Sequence, residues 1–379
     1  MTKASIEELV ESIRPRYLQG DRAVKGRILD EFVATTGYHR KHAIRLFGNG
    51  HRPAGSRGRG RPKIYGSEVK RALLHVWEIL DRPCSHRLHP FLAEFVAVLT
   101  RHGHFPFPEQ TKKLLLRIGR GSIDRLLCSA RDLHGQYPRL RTTKPGSLLK
   151  EAIPVRTFAD WNDARPGFCE IDLVLHCGES VRGRHLYTLN AVDVATGWCE
   201  PIALPRRSRR AVCDAINQLR RRLPFPLLGI DSDNDSAFIN DDLYQYCSRT
   251  KITFTRCRPY KKNDQAHVEQ KNWSVVRRLI GYDRYESAQE LALIQAIYRD
   301  WRLYANFFQP VMKLIHKTRT GSKVRKRYDE ARTPYQRVLS SQLDEQYKEP
   351  LKELYATLDP VALRERIHQN QAILWRPAR

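Results

Sequence analysis

Three acidic residues, each set in or beside a short apolar segment, restrict the possible folds of this chain most. Asp172 interrupts the run FCEIDLVLHC, whose apolar and β-favouring residues predict a mostly buried strand. Asp233 follows the apolar residues 227–230, which predict a strand that ends in a loop. Glu269 lies in a segment whose apolar residues are spaced for a helix. Two strand-end carboxylates and one helical carboxylate can therefore converge on one edge of a sheet.

Three convergent carboxylates predict a site for divalent cations. A buried charge is costly unless it is paired or coordinated, so packing alone does not explain the set. Mg²⁺ and Mn²⁺ prefer carboxylate and water oxygens, and two such ions about 3.5–4 Å apart would stabilise both the attacking and the leaving oxygen of a phosphoryl displacement. Each acid taken alone could be a solvated carboxylate, but the three together favour metal binding.

The sequence around these acids resembles the DDE transposases and retroviral-type integrases, and most of all the bacterial insertion-sequence transposases. The matching segments are EIDLV, HLYTLNAVDVATGW, DSDNDSAFIN and RPYKKNDQAHVEQKN. Because 269 − 233 = 36, the last two acids are separated by 35 residues, the spacing typical of the family. The resemblance covers residues 164–304. It implies an α/β ribonuclease-H-like core, a mixed sheet flanked by helices, in which Asp172, Asp233 and Glu269 are both the catalytic residues and the ligands of two Mg²⁺ or Mn²⁺ ions.

The second acidic segment departs from the family pattern at two positions. Asp235 stands where the family commonly has Gly, and Ala237 where it commonly has Glu. Asn234 can itself adopt a left-handed turn conformation, so the turn is still expected. Asp231 and Asp235 nevertheless remain alternatives to Asp233 as the second ligand.

The charge of the chain predicts a polyanionic partner. Lys and Arg number 67 against 41 Asp and Glu, a formal net charge of +26. No apolar run approaches the length of a membrane span, and no signal-like segment begins the chain. We therefore expect no membrane association. The resemblance implies double-stranded DNA as the partner, both element ends and target, a homo-oligomer on DNA, and a cytoplasmic, nucleoid-associated location in a bacterial cell.

The eight cysteines are scattered without a CxxC pair or nearby histidine set, so we expect reduced thiols. The His/His/Cys/Cys zinc module of retroviral integrases is not visible.

Composition and periodicity divide the chain into six predicted segments. They are a helix-turn-helix-like domain at 1–48, a basic Arg/Gly/Pro linker resembling an AT-hook at 49–65, a second helical DNA-binding domain at 66–136, a linker at 137–163, the catalytic core at 164–308, and a basic, helical C-terminal region at 309–379. Within the core, three consecutive strands precede alternating helices and strands, as in a mixed sheet flanked by helices.

Several basic side chains are candidate DNA contacts. Arg40 and Arg45 lie on the second helix of a predicted helix-turn-helix, although a plain surface helix is the alternative. Arg59 and Arg61 fit a narrow minor groove, or neutralise phosphates without specificity. Arg125 lies on a short helix, capped by Ser122, that is either a recognition helix or part of a packed bundle.

A second group of candidates lies near Glu269 in the sequence. Lys262, Lys271 and Arg277 are expected to contact the DNA end. Asn272 shares the predicted helical face of Glu269 and would orient a carboxylate or contact the terminal nucleotide.

These features together predict a DNA transposase that cuts element ends in a metal-dependent reaction and transfers the freed 3′ hydroxyl to target DNA. No nucleotide hydrolysis is required, and no P-loop pattern is present. One alternative is a non-catalytic repressor or architectural protein derived from a transposase. The other is a metal-dependent nuclease that cuts without joining.

Overall fold

The computed structural model describes residues 2–49, 64–131, 165–233, 235, 237–257, 268, 271–320 and 323–375. The chain divides into two compact units, Met1–Ile64 and Tyr65–Arg379. None of the helices within these described ranges is both long and apolar enough to cross a membrane.

The first unit contains three helices around a small aromatic core. The helices are α1 (Lys3–Gln19), α2 (Arg22–Thr36) and α3 (Arg40–Asn49). Phe32 and Phe47 are fully buried and meet edge to face with ring centroids 4.9 Å apart. Gly37 ends α2 with φ of 73°, a conformation that a residue without a side chain adopts readily. The predicted helical pattern and its Gly-containing turn are therefore present.

The second unit begins with four helices that pack on the rest of that unit. They are α4 (Ser67–Ile79), α5 (Ser85–Arg101), α6 (Glu109–Leu116) and α7 (Arg120–Arg131). The Phe95 and Phe308 rings meet with centroids 6.1 Å apart, and the Tyr304 hydroxyl donates to the carbonyl of Ile79 at 2.5 Å. The segments predicted as separate domains at 66–136 and 164–308 thus share one hydrophobic core.

Helix α7 begins two residues before the predicted cap. The amides of Ser122 and Ile123 both donate to the carbonyl of Gly119, which starts the helix ahead of Ser122. Ser122 therefore lies in the first turn, where its hydroxyl accepts a hydrogen bond from Arg125 instead of capping the helix.

The centre of the second unit is a mixed five-stranded sheet. Its strands are β1 (Phe168–His176), β2 (Leu186–Asp193), β3 (Cys199–Leu204), β4 (Gly229–Ser232) and β5 (Thr253–Arg256), in the order β3-β2-β1-β4-β5. β1, β2 and β3 are antiparallel neighbours, whereas β4 pairs parallel with both β1 and β5. Helices α8 (Arg209–Arg222) and α9 (Asp241–Arg249) connect the later strands. This is the ribonuclease-H-like arrangement that the resemblance implies, and the predicted fold class is confirmed.

After β5, the predicted continuous helix is instead partly π-helical. The π-helix spans Asn272–Arg277, and an α-helical turn follows over Arg278–Ile280. Short π-helical segments inside helices occur frequently at functional sites. The long helix α10 (Ala288–Phe308) then packs against β3, with a capping box formed by Ser287 and Glu290 at its start.

The C-terminal region differs from its prediction in one element. Its basic part forms a hairpin of β6 (Leu314–Thr320) and β7 (Lys323–Tyr328), two strands that the prediction of a basic, helical region did not include. The predicted helices follow as α11 (Pro334–Leu339), α12 (Glu345–Thr357) and α13 (Pro360–Leu374).

Candidate active site

The parallel pairing of β1 and β4 brings Asp172 and Asp233 to neighbouring positions. Ile171 lies opposite Ser232, so the next residue on each chain is one of the two acids. The pKa of Asp233 is raised to about 7, first by burial and then by the negative charge of Asp172. The two carboxyl groups are therefore close enough to repel each other when both are ionised.

The turn after β4 holds the Asp233 carboxylate. β4 ends at Ser232, and the backbone N–H of Asp235 donates to Asp233 Oδ1 at 2.9 Å. This is the side chain to backbone bond of an Asx turn, and it limits the rotation of the carboxylate.

Asp172 is held by a chain of hydrogen bonds across the sheet. Its Oδ1 accepts from the backbone N–H of Leu173 at 2.8 Å, and its Oδ2 accepts from Asn272 Nδ2 at 2.5 Å. Asn272 Oδ1 in turn accepts from Nδ2 of the fully buried Asn190 at 2.8 Å, and Asn190 Oδ1 accepts from the Cys199 thiol at 3.2 Å. Both amides thus use one donor and one acceptor, which fixes the orientation of each.

Asn272 thus contacts a carboxylate, one of the two roles considered for it. Asn190 was missed by the sequence analysis. It lies directly opposite Asp172 in the β1–β2 register, and an amide within the otherwise mostly apolar strand LYTLNAVD was the available signal.

The two alternatives for the second ligand are engaged elsewhere. Asp235 is buried and forms an ion pair with Arg207 at 2.6 Å, while its Oδ1 also accepts from the amide of Ala237. Asp231 is 1% exposed and accepts from the Thr255 hydroxyl at 2.6 Å. Asp233 is half-buried, whereas Asp231 and Asp235 are buried. Its greater accessibility, and the partners that the other two acids already have, favour Asp233 as the second ligand.

Glu170 is a second residue that the sequence analysis missed. It lies two positions before Asp172, on the same face of β1, and is fully buried. Its Oε2 accepts from the backbone N–H of Val268 at 2.8 Å. Val268 immediately precedes Glu269 in the sequence, so Glu170 holds the backbone beside the predicted third ligand. The signal for it was the pair of acids at i and i+2 in a buried strand.

Four of the predicted site residues lie outside the described residues, namely Arg59, Arg61, Lys262 and Glu269. Within the described ranges, no group of three or more His, Cys, Asp or Glu side chains is placed to hold a metal ion. Asp172 and Asp233 are brought together there, and the third ligand stays a prediction.

The remaining candidate DNA contacts differ in exposure. Arg40 and Arg45 are exposed on α3, where Arg40 also pairs with Asp30, and Arg125 is exposed on α7.

Lys271 and Arg277 are half-buried, and burial lowers the pKa of both side chains. The Arg277 guanidinium lies over the Tyr282 ring, 5.0 Å from its centroid. Their contact with DNA stays a prediction.

A mixed sheet with one acidic residue in its central strand β1 and another directly after the neighbouring strand β4 has the architecture of a ribonuclease-H-like core. The model of the integrase core domain matches residues 162–262. An uncharacterized protein, y4rM, from Sinorhizobium fredii (strain NBRC 101917 / NGR234) is 45% identical over 331 residues, which cover 86% of this chain and 93% of that protein. The chain belongs to the DDE transposase/integrase superfamily, which indicates a transposase- or integrase-type function.

Two solved integrase cores are also similar to this chain. The catalytic core domain of BIV integrase is 20% identical with a TM-score of 0.30, covering 46% of this chain and 94% of that one. The HTLV-2 integrase catalytic core domain in complex with magnesium, in a trimeric form, is 18% identical with a TM-score of 0.24, covering 30% of this chain and 68% of that one.

Proposed function

We propose that this protein is a DNA transposase that binds the terminal repeats of its element and catalyses metal-dependent strand cleavage and strand transfer. The observation that carries the proposal is the placement of Asp172, in the central strand β1, beside Asp233, which directly follows the neighbouring strand β4, in a chain with an integrase core domain. A purely DNA-binding protein has no need to hold two repelling carboxylates together.

The donor set fits Mg²⁺ or Mn²⁺. Both groups are hard oxygen ligands, and a cation would offset the burial and the repulsion by Asp172 that together raise the pKa of Asp233. We propose that Asp172, Asp233 and Glu269 hold two ions. When bound, such ions stabilise charge on the attacking and leaving oxygens of an in-line displacement.

The residues around the two aspartates orient them for this role. Asn272 and the Leu173 amide hold Asp172, while the Asp235 amide holds Asp233. Carboxylates held before substrate arrives need no reorganisation during the reaction.

Double-stranded DNA is the proposed partner, as element ends and as target, in the bacterial cytoplasm. The net charge of +26 supports this, because Lys and Arg contacts to phosphates supply most of the binding free energy of such proteins.

The test is incubation of the purified protein with duplexes of its element ends, Mg²⁺ or Mn²⁺, and a target plasmid. Joined products are expected from the wild type. Asp172→Asn and Asp233→Asn should abolish cleavage and leave DNA affinity nearly unchanged, because neither carboxylate attracts phosphate. Binding without cleavage by the wild type would instead support a repressor, and cleavage without joining a nuclease.

A further inference from the structure

The hairpin formed by Leu314–Thr320 and Lys323–Tyr328, here called the basic ribbon, is a surface that the proposed catalysis does not use. Between residues 314 and 328 it carries six Lys or Arg and no Asp or Glu: Lys317, Arg319, Lys323, Arg325, Lys326 and Arg327. A two-stranded ribbon is only marginally stable by itself, so its position depends on how its base is attached.

The base of the basic ribbon is firmly anchored. Lys313 Nζ donates to the carbonyls of Val194 and Ala195, both at 2.7 Å, in the turn between β2 and β3. The Lys313 amide donates to Asp329 Oδ1 at 2.6 Å, and Asp329 Oδ2 pairs with Arg337 at 2.6 Å. Asp329, the acid nearest the ribbon in sequence, therefore already has partners. The bonds of Lys313 attach the ribbon to the sheet.

The register separates the cations onto two faces. Thr318 lies opposite Arg325 and His316 opposite Arg327, so these four residues share one face. On the other face, Lys326 lies opposite Lys317, and Val324 lies opposite Arg319.

The cations of the ribbon are available for a partner. Arg325, Lys326 and Arg327 are exposed, and none of the described carboxylates forms an ion pair with any of the three. On the first face the two arginines lie opposite Thr318 and His316, whereas Lys326 lies opposite another lysine, Lys317.

We propose that the basic ribbon binds duplex DNA through the face that carries Arg325 and Arg327. A two-stranded ribbon fits the width of the major groove, and the guanidinium fork matches phosphate oxygens. Edge pairing with a second copy of this chain is the competing use of such a hairpin. Six like charges oppose that pairing. The inference rests on the proposed function only in taking DNA as the partner.

The test measures how DNA affinity depends on salt. The probe is a duplex of about 30 base pairs of arbitrary sequence, titrated by fluorescence anisotropy at several salt concentrations. Arg325→Gln and Arg327→Gln should each reduce the slope of log affinity against log salt by about 0.9, and the double variant by about 1.8, because each removes one phosphate contact. Lys326→Gln, an equal change of charge on the opposite face, should leave the slope unchanged. Thermal unfolding checks that all variants remain folded.

The outcomes separate this inference from the proposed function. A wild type that does not bind the duplex overturns both. In a second outcome, the wild type binds with a steep salt dependence and the three single variants have the same slope of log affinity against log salt. That result overturns the role of this face and leaves the proposed function standing. In a third outcome, the arginine variants bind DNA like the wild type but sediment differently when DNA is absent. That result would assign the ribbon to self-association and would also overturn the inference.

Discussion

At the scale of single residues, the site depends on buried polar groups that have no part in the chemistry. Asn190 is the best example, since it is fully buried and joins Cys199 on β3 to Asn272 beside Asp172. An amide at this position is justified only by the hydrogen bonds that it makes.

Replacing Asn190 with the similarly sized leucine should destabilise the protein and slow cleavage. The change leaves the Asn272 carbonyl without its donor, which costs about 1–3 kcal/mol, and frees Asn272 to rotate away from Asp172. Urea unfolding and the rate of end cleavage measure the two effects, with duplex affinity as a control that should not change. Cys199→Ala, which removes only a weak donor, is the matched variant and should cost less. Equal effects from the two variants would contradict the role given to Asn190.

His176 should make the fold sensitive to acid. It is buried and donates to or accepts from the Thr188 hydroxyl at 2.7 Å, and burial lowers its pKa from 6.5 to about 3. Between these values the unfolded chain binds a proton that the folded chain does not, so the free energy of unfolding falls as the pH is lowered through this range. Between pH 7 and pH 5 this residue alone should remove about 2 kcal/mol.

The measurement is urea unfolding at both pH values for the wild type and for His176→Gln. The variant should lose less stability on acidification, because it carries no titrating group at this position. An identical loss in the two proteins would show that His176 does not contribute.

At the scale of elements, local pattern was sufficient where the elements have clear periodicity. The three consecutive strands and the helices and strands that alternate after them are present in the predicted order. The basic ribbon was missed because its alternating Thr and Val residues are outnumbered by cations, which obscure the period of a strand. The π-helix at Asn272–Arg277 was not predicted, since the spacing of apolar residues in this segment indicated an ordinary helix.

The hydrogen bond from the Val268 amide to Glu170 on β1 should control how well Glu269, the predicted third metal ligand, is positioned. Glu170→Gln keeps an acceptor for the Val268 amide, whereas Glu170→Leu removes it and leaves a buried N–H unpaired. We expect the glutamine variant to retain more cleavage activity and to be about 1–3 kcal/mol more stable than the leucine variant. Cleavage rate and urea unfolding test this, with duplex affinity equal in both. Equal cleavage rates and equal stabilities of the two variants would show that the bond from the Val268 amide to residue 170 does not matter for the site.

At the scale of the whole molecule, the helices α4–α7 belong with the sheet. Gln309 Nε2 donates to the carbonyl of Leu80 at 2.8 Å, and Arg278 pairs with Asp81 at 2.7 Å. These contacts and the shared hydrophobic core join residues 65–131 to the rest of the second unit.

Truncation should follow these unit boundaries. A fragment of residues 65–379 is expected to unfold cooperatively near the temperature of the full chain. A fragment of residues 165–379 should be strongly destabilised, because it exposes the apolar surface around Phe308 that Phe95 covers. Circular dichroism melting and binding of a hydrophobic dye compare the fragments. A shorter fragment that melts like the longer one would contradict a shared core.

Assembly should depend on DNA. Protomers with a net charge of +26 repel one another at low salt, and phosphates remove that repulsion. We expect a largely monomeric free protein and a discrete multimer that holds two element ends. Light scattering at moderate salt, with and without end duplexes, measures this. Full cleavage activity at one protomer per duplex would refute it.

The sequence by itself determined the order of strands and helices in the core, the family, and the placement of Asp172 in one strand and of Asp233 just after another. These depend on periodicity and motif spacing, which are local properties of the chain. Only the tertiary structure shows the partners of the two alternative acids, Arg207 for Asp235 and Thr255 for Asp231, and the choice of Asp233 as the second ligand stays a prediction that these contacts favour.

The tertiary structure alone also decided the supports of the site. Glu170 and Val268 are 98 residues apart in sequence, and Asn190 and Asn272 are 82 apart. No local pattern specifies which distant backbone amide or side chain meets a buried polar group, since that choice is made when the apolar faces of the sheet and helices pack together.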